Sequence, residues 1–303
     1  MNAAPTHRPM LALLIRLGAI AALATMSALI KVAAEHGIHL LEIMFWRQVV
    51  AIPLLLGWVL ATTGIGGLAT GRPGKHFLRA LYGTIGMLLT FGAVILLPLA
   101  EATTIGFTAP IFAVILSALL LKEHVGIWRW SAVTVGFVGI VLIAQPGGGH
   151  IPLFGALVAL GSAFMIALIS IQIADLNRTD KPVTIVFYFA LFSAMMTVVA
   201  LPFVSKPHDA TGWWLLVAIG LTGSVGQLLL TAALRFGKVA SVIVMDYSSL
   251  FWATLYGWVL FDTLPPASTW LGAPLIVVAG LVIAWREHYL ARTRKRALAA
   301  QGT

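Results

Sequence analysis

The chain has 303 residues, 60 % of them hydrophobic and 10 % charged, with a formal net charge of +9. Soluble domains carry about 25 % charged residues, so this composition, with a mean hydropathy of +1.00, excludes a soluble globular protein and predicts a polytopic membrane protein. Lipid offers backbone groups no partner and the apolar runs are too long for barrel strands, so the spanning element is the helix and the fold class is all-α.

Charged and turn residues divide the chain into ten apolar segments, near 11–33, 41–62, 76–97, 101–121, 128–145, 152–174, 183–203, 213–235, 238–261 and 267–285. Each is close to the ~20 residues that cross a hydrocarbon core of about 30 Å. The first run, Leu17 to Ile30, follows Arg8 and Arg16 as a signal peptide would, but the comparable runs after it mark it as a retained span. Lys31 near its far end reads as a snorkelling residue. The second span carries Arg47 beside Phe45 and Trp46, a few residues below the outer surface. There Arg47 and Trp46 would form an outer gate or attract a carboxylate, or Arg47 would pair with Glu42 or Glu101.

On the third span His76 and Arg79 read as interface residues, and Tyr82, Gly86 and Thr90 form a stripe at i, i+4 and i+8. The sixth span offers Ser162 and Phe164, and the eighth offers Gly223, Gly226 and Gln227. These stripes are either walls of a binding cavity or ordinary helix-packing seams.

The ninth span holds Asp246 inside an otherwise uncharged stretch from Val239 to Phe261. On a helix advancing about 100° per residue, Val242, Ser249, Ala253 and Gly257 fall within about 80° of it, while Val244, Phe251, Leu255 and Trp258 fall on the other side. Small residues suit the bundle interior and bulky apolar ones suit lipid, so the aspartate is expected to point inward. Trp252, about 120° away, shares the cavity only if that face borders it too. A charge at this depth costs on the order of 3 kcal/mol. Asp246 is therefore either a polar anchor that takes up a substrate ammonium group or a proton, or a structural group bonded to a neighbouring helix.

With the N-terminus inside, sixteen of the nineteen Lys and Arg residues lie on one side, only Lys206 falls in an opposite loop, and Lys31 and Arg47 lie within spans. The positive-inside rule then makes both termini cytoplasmic, and the basic balance needs no nucleic-acid partner. Trp128, Trp130, Trp213, Trp214, Trp270 and Trp285 sit at span ends, as interfacial indoles do.

The second half repeats the first. At an offset of 139, Pro110, Phe112, Leu116, Leu121 and Glu123 lie over Ser249, Phe251, Leu255, Leu260 and Asp262; at 140, Gly83 and Gly86 lie over Gly223 and Gly226. A repeat of five spans is odd-numbered, so the halves insert with opposite orientation, a signature of transporters whose site lies between them. The expected units are a first repeat over 1–147, an inverted second repeat over 148–290, and a basic tail over 291–303.

A proline, an apolar helix and an acidic residue thirteen positions on (Pro110 to Glu123), followed by Trp130 and a glycine-bearing span with Gly136 and Gly139, resemble the EamA domain of the drug/metabolite transporter superfamily. The second copy departs from that pattern, with Ser249 for the proline and Asp262 for the glutamate. The resemblance implies ten spans, cytoplasmic termini, the bacterial inner membrane, and export of amino acids, including aromatic ones, and other small metabolites.

An enzyme is not expected. The histidines all fall in loops or at span ends, there is no HExxH or GxSxG, and the chain has no cysteine. No GxxxxGK[ST] exists to hold nucleotide phosphates, and no cofactor is expected. A secondary transporter remains, with a channel or facilitator as the alternative. Its partners are a small-molecule substrate and the bilayer, and proton coupling stays open through Asp246. With Arg47 and Lys31 read as peripheral, a carboxylate among aromatics points to an amine-bearing solute such as an amino acid. The site candidates are thus Asp246, Tyr82, Gly86, Thr90, Ser162, Phe164, Gln227, Ser249 and Trp252.

Overall fold

A computed structural model of the chain describes residues 9–62, 64–120, 126–145, 151–236 and 244–301. Glu123, Val242, His124, His150 and the expected 147/148 boundary lie outside the described residues. Within them every regular element is helical: α1 Pro9–Glu35, α2 Leu40–Thr62, α3 Pro73–Leu96, α4 Leu99–Gly106, α5 Ala109–Leu120, α6 Ile127–Ala144, α7 Leu153–Leu176, α8 Pro182–Val198, a single turn α9 Leu201–Val204, α10 Ala210–Phe236, α11 Ser249–Phe261 and α12 Ala267–Gln301. A 3-10 turn, Val244–Ser248, leads into α11. Among the described residues eight segments are helical, long and apolar enough to cross a bilayer, and α8 is a shorter apolar helix.

Two expected spans are not single helices. The fourth is broken at Phe107 and Thr108 into α4 and α5. Pro110 has no N–H to return to the Gly106 carbonyl, and Thr108 instead bonds the Ile105 carbonyl oxygen through its own hydroxyl at 2.7 Å. The ninth, where the backbone is described, begins as the 3-10 turn and becomes α-helical at Ser249, whose Oγ donates to the Asp246 carbonyl oxygen at 2.7 Å. At the offset of 139 this turn is equivalent to the α4–α5 break, and the two touch, with the Phe107 and Tyr247 rings edge to face at 4.9 Å. The seventh span likewise stops at Val198, before the separate turn that contains Pro202.

The packing partners exchange between halves. Helix α1 lies along α10 and α3 along α7; α2 packs on α10 and α3 on α8; α1 meets α11 and α5 meets α7. Helices α2 and α8, and α6 and α12, pair with each other. The main core fills the end of the bundle where α1 meets α2, with Ile30, Ile43, Met44, Leu97, Leu216 and Ile219 all buried. Polar contacts bind the same end. Lys31 Nζ donates to the Leu97 and Val94 carbonyl oxygens at 2.6 and 3.3 Å, which caps the C-terminus of α3 and replaces the expected snorkelling. Glu42 accepts from Ser205 Oγ at 2.8 Å and meets His208 Nε2 at 2.9 Å, and Thr269 Oγ1 donates to Glu101 at 3.1 Å.

At the opposite end Asp175 on α7 accepts from Arg72 and Lys75 at the start of α3 at 2.5 and 2.7 Å. His76 is not an interface residue. It is fully buried, its Nε2 lies 3.4 Å from Asp180, and its ring lies 4.9 Å from that of Tyr188. Hydrogen bonds from Thr179 and Thr70 hold the Asp180 carboxyl below the usual carboxylate range. Leu78, Leu81, Ile85 and Leu88 give α3 an exposed apolar face suited to lipid, and the six tryptophans assigned to span ends are all exposed.

Two glycines bring the backbones of α6 and α12 close together. A β-carbon on Gly272 would stand 2.6 Å from the Gly139 carbonyl oxygen, and one on Gly139 would stand 2.8 Å from the Gly272 carbonyl oxygen. Gly272→Val should therefore push α6 and α12 apart and cost about 1–3 kcal/mol, read as a lower melting temperature by tryptophan fluorescence in detergent. Gly57→Ala on α2, where a β-carbon meets open space, should leave that temperature unchanged or raise it, since glycine in a helix interior is disfavoured by up to ~1 kcal/mol.

Candidate functional site

Two adjoining cavities lie between the halves. The larger, of about 630 Å³, is walled by Arg16 and Ser27 on α1, Thr90 and Phe91 on α3, Phe107 at the α4–α5 break, Gln227 on α10, and Asp246 and Ser249 on either side of the junction between the 3-10 turn and α11. The α1 wall follows from spacing: Arg16, Ile20, Leu23, Ala24 and Ser27 all line it and fall at i, i+4, i+7, i+8 and i+11 on one helix face. The smaller cavity, of about 160 Å³, is lined by Arg47, Gln48, Arg79, Phe189, Ser224 and Gln227 among others. Arg47, Phe189 and Gln227 line both.

Asp246 faces the larger cavity with Ser249 and Ala253, and its carboxylate is engaged. Arg16 Nε donates to Oδ1 at 2.7 Å and Nη2 to Oδ2 at 2.6 Å, a fork that uses both oxygens. The arginine side chain is 8 % exposed and that of the aspartate 35 %. A buried guanidinium without a counter-charge is costly, so Arg16 depends on Asp246 more than the reverse. The pair joins α1 of the first half to the turn before α11 of the second.

Among the described residues Arg47 and Arg79 have no such partner. Arg47 Nη1 donates to Gln48 Oε1 at 3.1 Å, and Nε and Nη1 each lie 3.4 Å from a thioether sulfur, of Met26 and Met87. Thioethers are weak acceptors. The Arg79 guanidinium stacks 4.1 Å above the Phe189 ring, and its Nε and Nη1 have no hydrogen bond although both are buried. Two glycines make room for this pair. A β-carbon on Gly83 would collide with Arg79 Nη1 and stand 2.7 Å from Phe189 Cε2; one on Gly223 would stand 3.3 Å from Arg47 Nε and 2.7 Å from Met26 Sδ. These are the glycines that superpose at the offset of 140.

Of the residues singled out by sequence, Asp246, Thr90, Gln227, Ser249, Arg47 and Gly223 line these cavities. The others lie elsewhere. Gly86 is a packing seam, where a β-carbon would stand 2.9 Å from Ile169 Cδ1 on α7. Ser162 is buried and donates to the Ala159 carbonyl oxygen at 2.9 Å. Phe164 is exposed, edge to face with Phe112 at 5.9 Å. Trp252 stacks on Tyr256 at 6.1 Å, and Tyr82 is half-buried on α3 outside both cavities.

Trp46 and Arg47 are consecutive residues on a helix and diverge. Trp46 packs on Trp213 at 5.1 Å, at the filled end of the bundle, whereas Arg47 points into the cavities and pairs with neither Glu42 nor Glu101. Sequence reasoning passed over Arg16, counted as a flanking charge, and Arg79, counted as an interface residue. For Arg79 a signal existed. The inward stripe of α3 runs 79, 83, 86, 90, rather than 82, 86, 90, with the exposed leucines opposite.

The EamA-like transporter family matches residues 10–145 and again 153–285. The chain is similar to a riboflavin transporter of Vibrio cholerae, 30 % identical over 95 % of this chain and 98 % of that one. It is 32 % identical to a pseudopaline exporter of Pseudomonas aeruginosa over 89 % of this chain and 92 % of that one. An S-adenosylmethionine uptake transporter of Rickettsia bellii is 29 % identical over 82 % of this chain and 85 % of that one. A solved crystal structure shares the fold at a TM-score of 0.62 and 20 % identity, covering 93 % of this chain and 99 % of that one.

The chain contains no cysteine, so introduced thiols report on the cavity directly. Ser249→Cys and Thr90→Cys should react with a membrane-impermeant methanethiosulfonate reagent in purified protein, and Ser162→Cys should not. Labelling of Ser162→Cys as fast as Ser249→Cys would contradict the walls described.

Proposed function

The chain belongs to the EamA-like transporter family, and from that premise we propose that it is a secondary transporter that exports small metabolites across the bacterial inner membrane by alternating access, amino acids among them, including aromatic ones. In this reading two inverted five-helix repeats, 1–147 and 148–290, give ten spans with both termini cytoplasmic. The filled end of the bundle is then the periplasmic side. The carrying observation is that the larger cavity draws walls from both halves and is stopped at one end by the packed core around Ile30, Ile43 and Leu97. A cavity sealed at one end suits a carrier; a channel needs a continuous path.

Support for a small organic solute comes from the relatives, whose names cite riboflavin, pseudopaline and S-adenosylmethionine. One is named an exporter and another an uptake transporter, so the outward direction rests on the resemblance alone. The Arg16–Asp246 pair joins the two halves across the cavity and is assigned here to coupling. A proton on Asp246 would remove the charge that holds Arg16 and free the halves to move. Discontinuous helices at such sites are usual in carriers of this design, and the α4–α5 break and the 3-10 turn border the larger cavity through Phe107 and Asp246.

Reconstituted in liposomes, the wild-type protein should take up labelled aromatic amino acids saturably and respond to a pH gradient. Asp246→Asn, if it is folded by size exclusion, should lower the rate by about tenfold, equivalent to roughly 1.4 kcal/mol at the barrier, and lose the pH response. Equal transport by both proteins would make Asp246 structural; failure of the wild type on every amino acid would remove the amino-acid assignment.

A further inference from the structure

We propose that the smaller cavity seats an anionic group of the transported solute, a carboxylate held between the guanidiniums of Arg47 and Arg79, with the apolar or aromatic body of the solute in the larger cavity. This rests on the transporter reading and adds the charge of the solute to it.

Three arginines and one carboxylate face the two cavities, and the carboxylate, Asp246, already gives both oxygens to Arg16. Among the described residues none that lines the smaller cavity is acidic. Other described acids are engaged elsewhere: Glu42 with Ser205 and His208, Glu101 with Thr269, Asp175 with Arg72 and Lys75, and Asp180 with His76. A half-buried cation, Arg47, and a buried one, Arg79, therefore share one cavity with thioethers, amides and aromatic faces as their company. Like charges in one cavity repel, and an oxyanion seated between them offsets that repulsion.

The geometry favours a carboxylate. A guanidinium presents parallel N–H donors that fit its two oxygens, and both Arg47 and Arg79 line the smaller cavity. Phe189 fixes the plane of the Arg79 guanidinium from one side, and Phe91 lies 5.8 Å from the Arg47 guanidinium in the wall of the larger cavity. A solute bearing only an ammonium group would face three cations and no unoccupied carboxylate. The amine-anchoring role expected of Asp246 from sequence thus gives way to an anion seat, and a zwitterionic amino acid binds through its carboxylate.

The test is the melting temperature of detergent-purified protein with phenylacetate, phenylalanine or phenethylamine at millimolar concentration. Phenylacetate and phenylalanine should stabilise the wild type and phenethylamine should not. Arg79→Gln should abolish that stabilisation and raise the melting temperature of the unliganded protein, since it removes a buried charge that lacks a partner; a merely structural arginine would lower it. Arg79→Lys keeps the charge without the planar fork and should bind at least tenfold more weakly. Arg47→Gln is the second variant, should Arg79→Gln fail to fold. Stabilisation by phenethylamine equal to that by phenylacetate, no stabilisation by either anion, or anion binding that survives both glutamine variants would overturn the proposal. Counterflow of labelled phenylalanine in liposomes separates the two levels. Transport that persists in Arg79→Gln removes the anion seat and leaves the transporter reading standing. Arginine-dependent binding without counterflow keeps the seat and removes amino-acid export.

Discussion

A guanidinium taken out of water must be given something in return, and much of the interior of this bundle is arranged around that constraint. Arg16 receives a full carboxylate, both oxygens of Asp246. Arg47 receives an amide oxygen and two sulfurs, and Arg79 an aromatic face. The glycines at 83 and 223 leave space beside the last two. A structural role would require counter-charges for Arg47 and Arg79; a binding role requires that the counter-charge arrive with the solute.

The broken helices give the same interior its shape. A continuous helix through 244–261 would bury Asp246 on a straight wall. The 3-10 turn instead places it at the joint, across from Arg16 and beside the equivalent joint at Phe107. Helix termini and joints carry backbone groups that the helix itself does not satisfy, and here they lie at a cavity that the two halves share. At the far end the core around Ile30, Ile43 and Leu97 and the contacts of Lys31, Glu42 and Glu101 close the bundle. Those of Glu42 with Ser205 and His208 and of Glu101 with Thr269 cross from the first half to the second.

The helices, the duplication and the inward face of Asp246 were legible because each is written in local periodicity: small residues on one side of 246–257, bulky ones on the other, and paired glycines at a fixed offset. The partner of Asp246 was not, since Arg16 lies 230 residues away and looks like any flanking positive charge. Arg79 was misread through a register error of one stripe on α3. The break at Pro110 follows from a missing N–H. Its counterpart has Ser249 in that place and nothing in the local sequence that stops a helix, so only the repeat could have suggested it. Trp252 and Phe164 show the converse. An aromatic residue near an expected site is attractive on paper, but helix rotation sends these two to other rings.

The most direct measurement is a crystal structure with p-bromobenzoate, the bromine located by its anomalous scattering. The carboxylate should lie between the guanidiniums of Arg47 and Arg79, with the bromine in the larger cavity near Thr90 and Phe91. A carboxylate that displaces Asp246 from Arg16 while Arg47 and Arg79 stay empty, or a bromine outside both cavities, would contradict it.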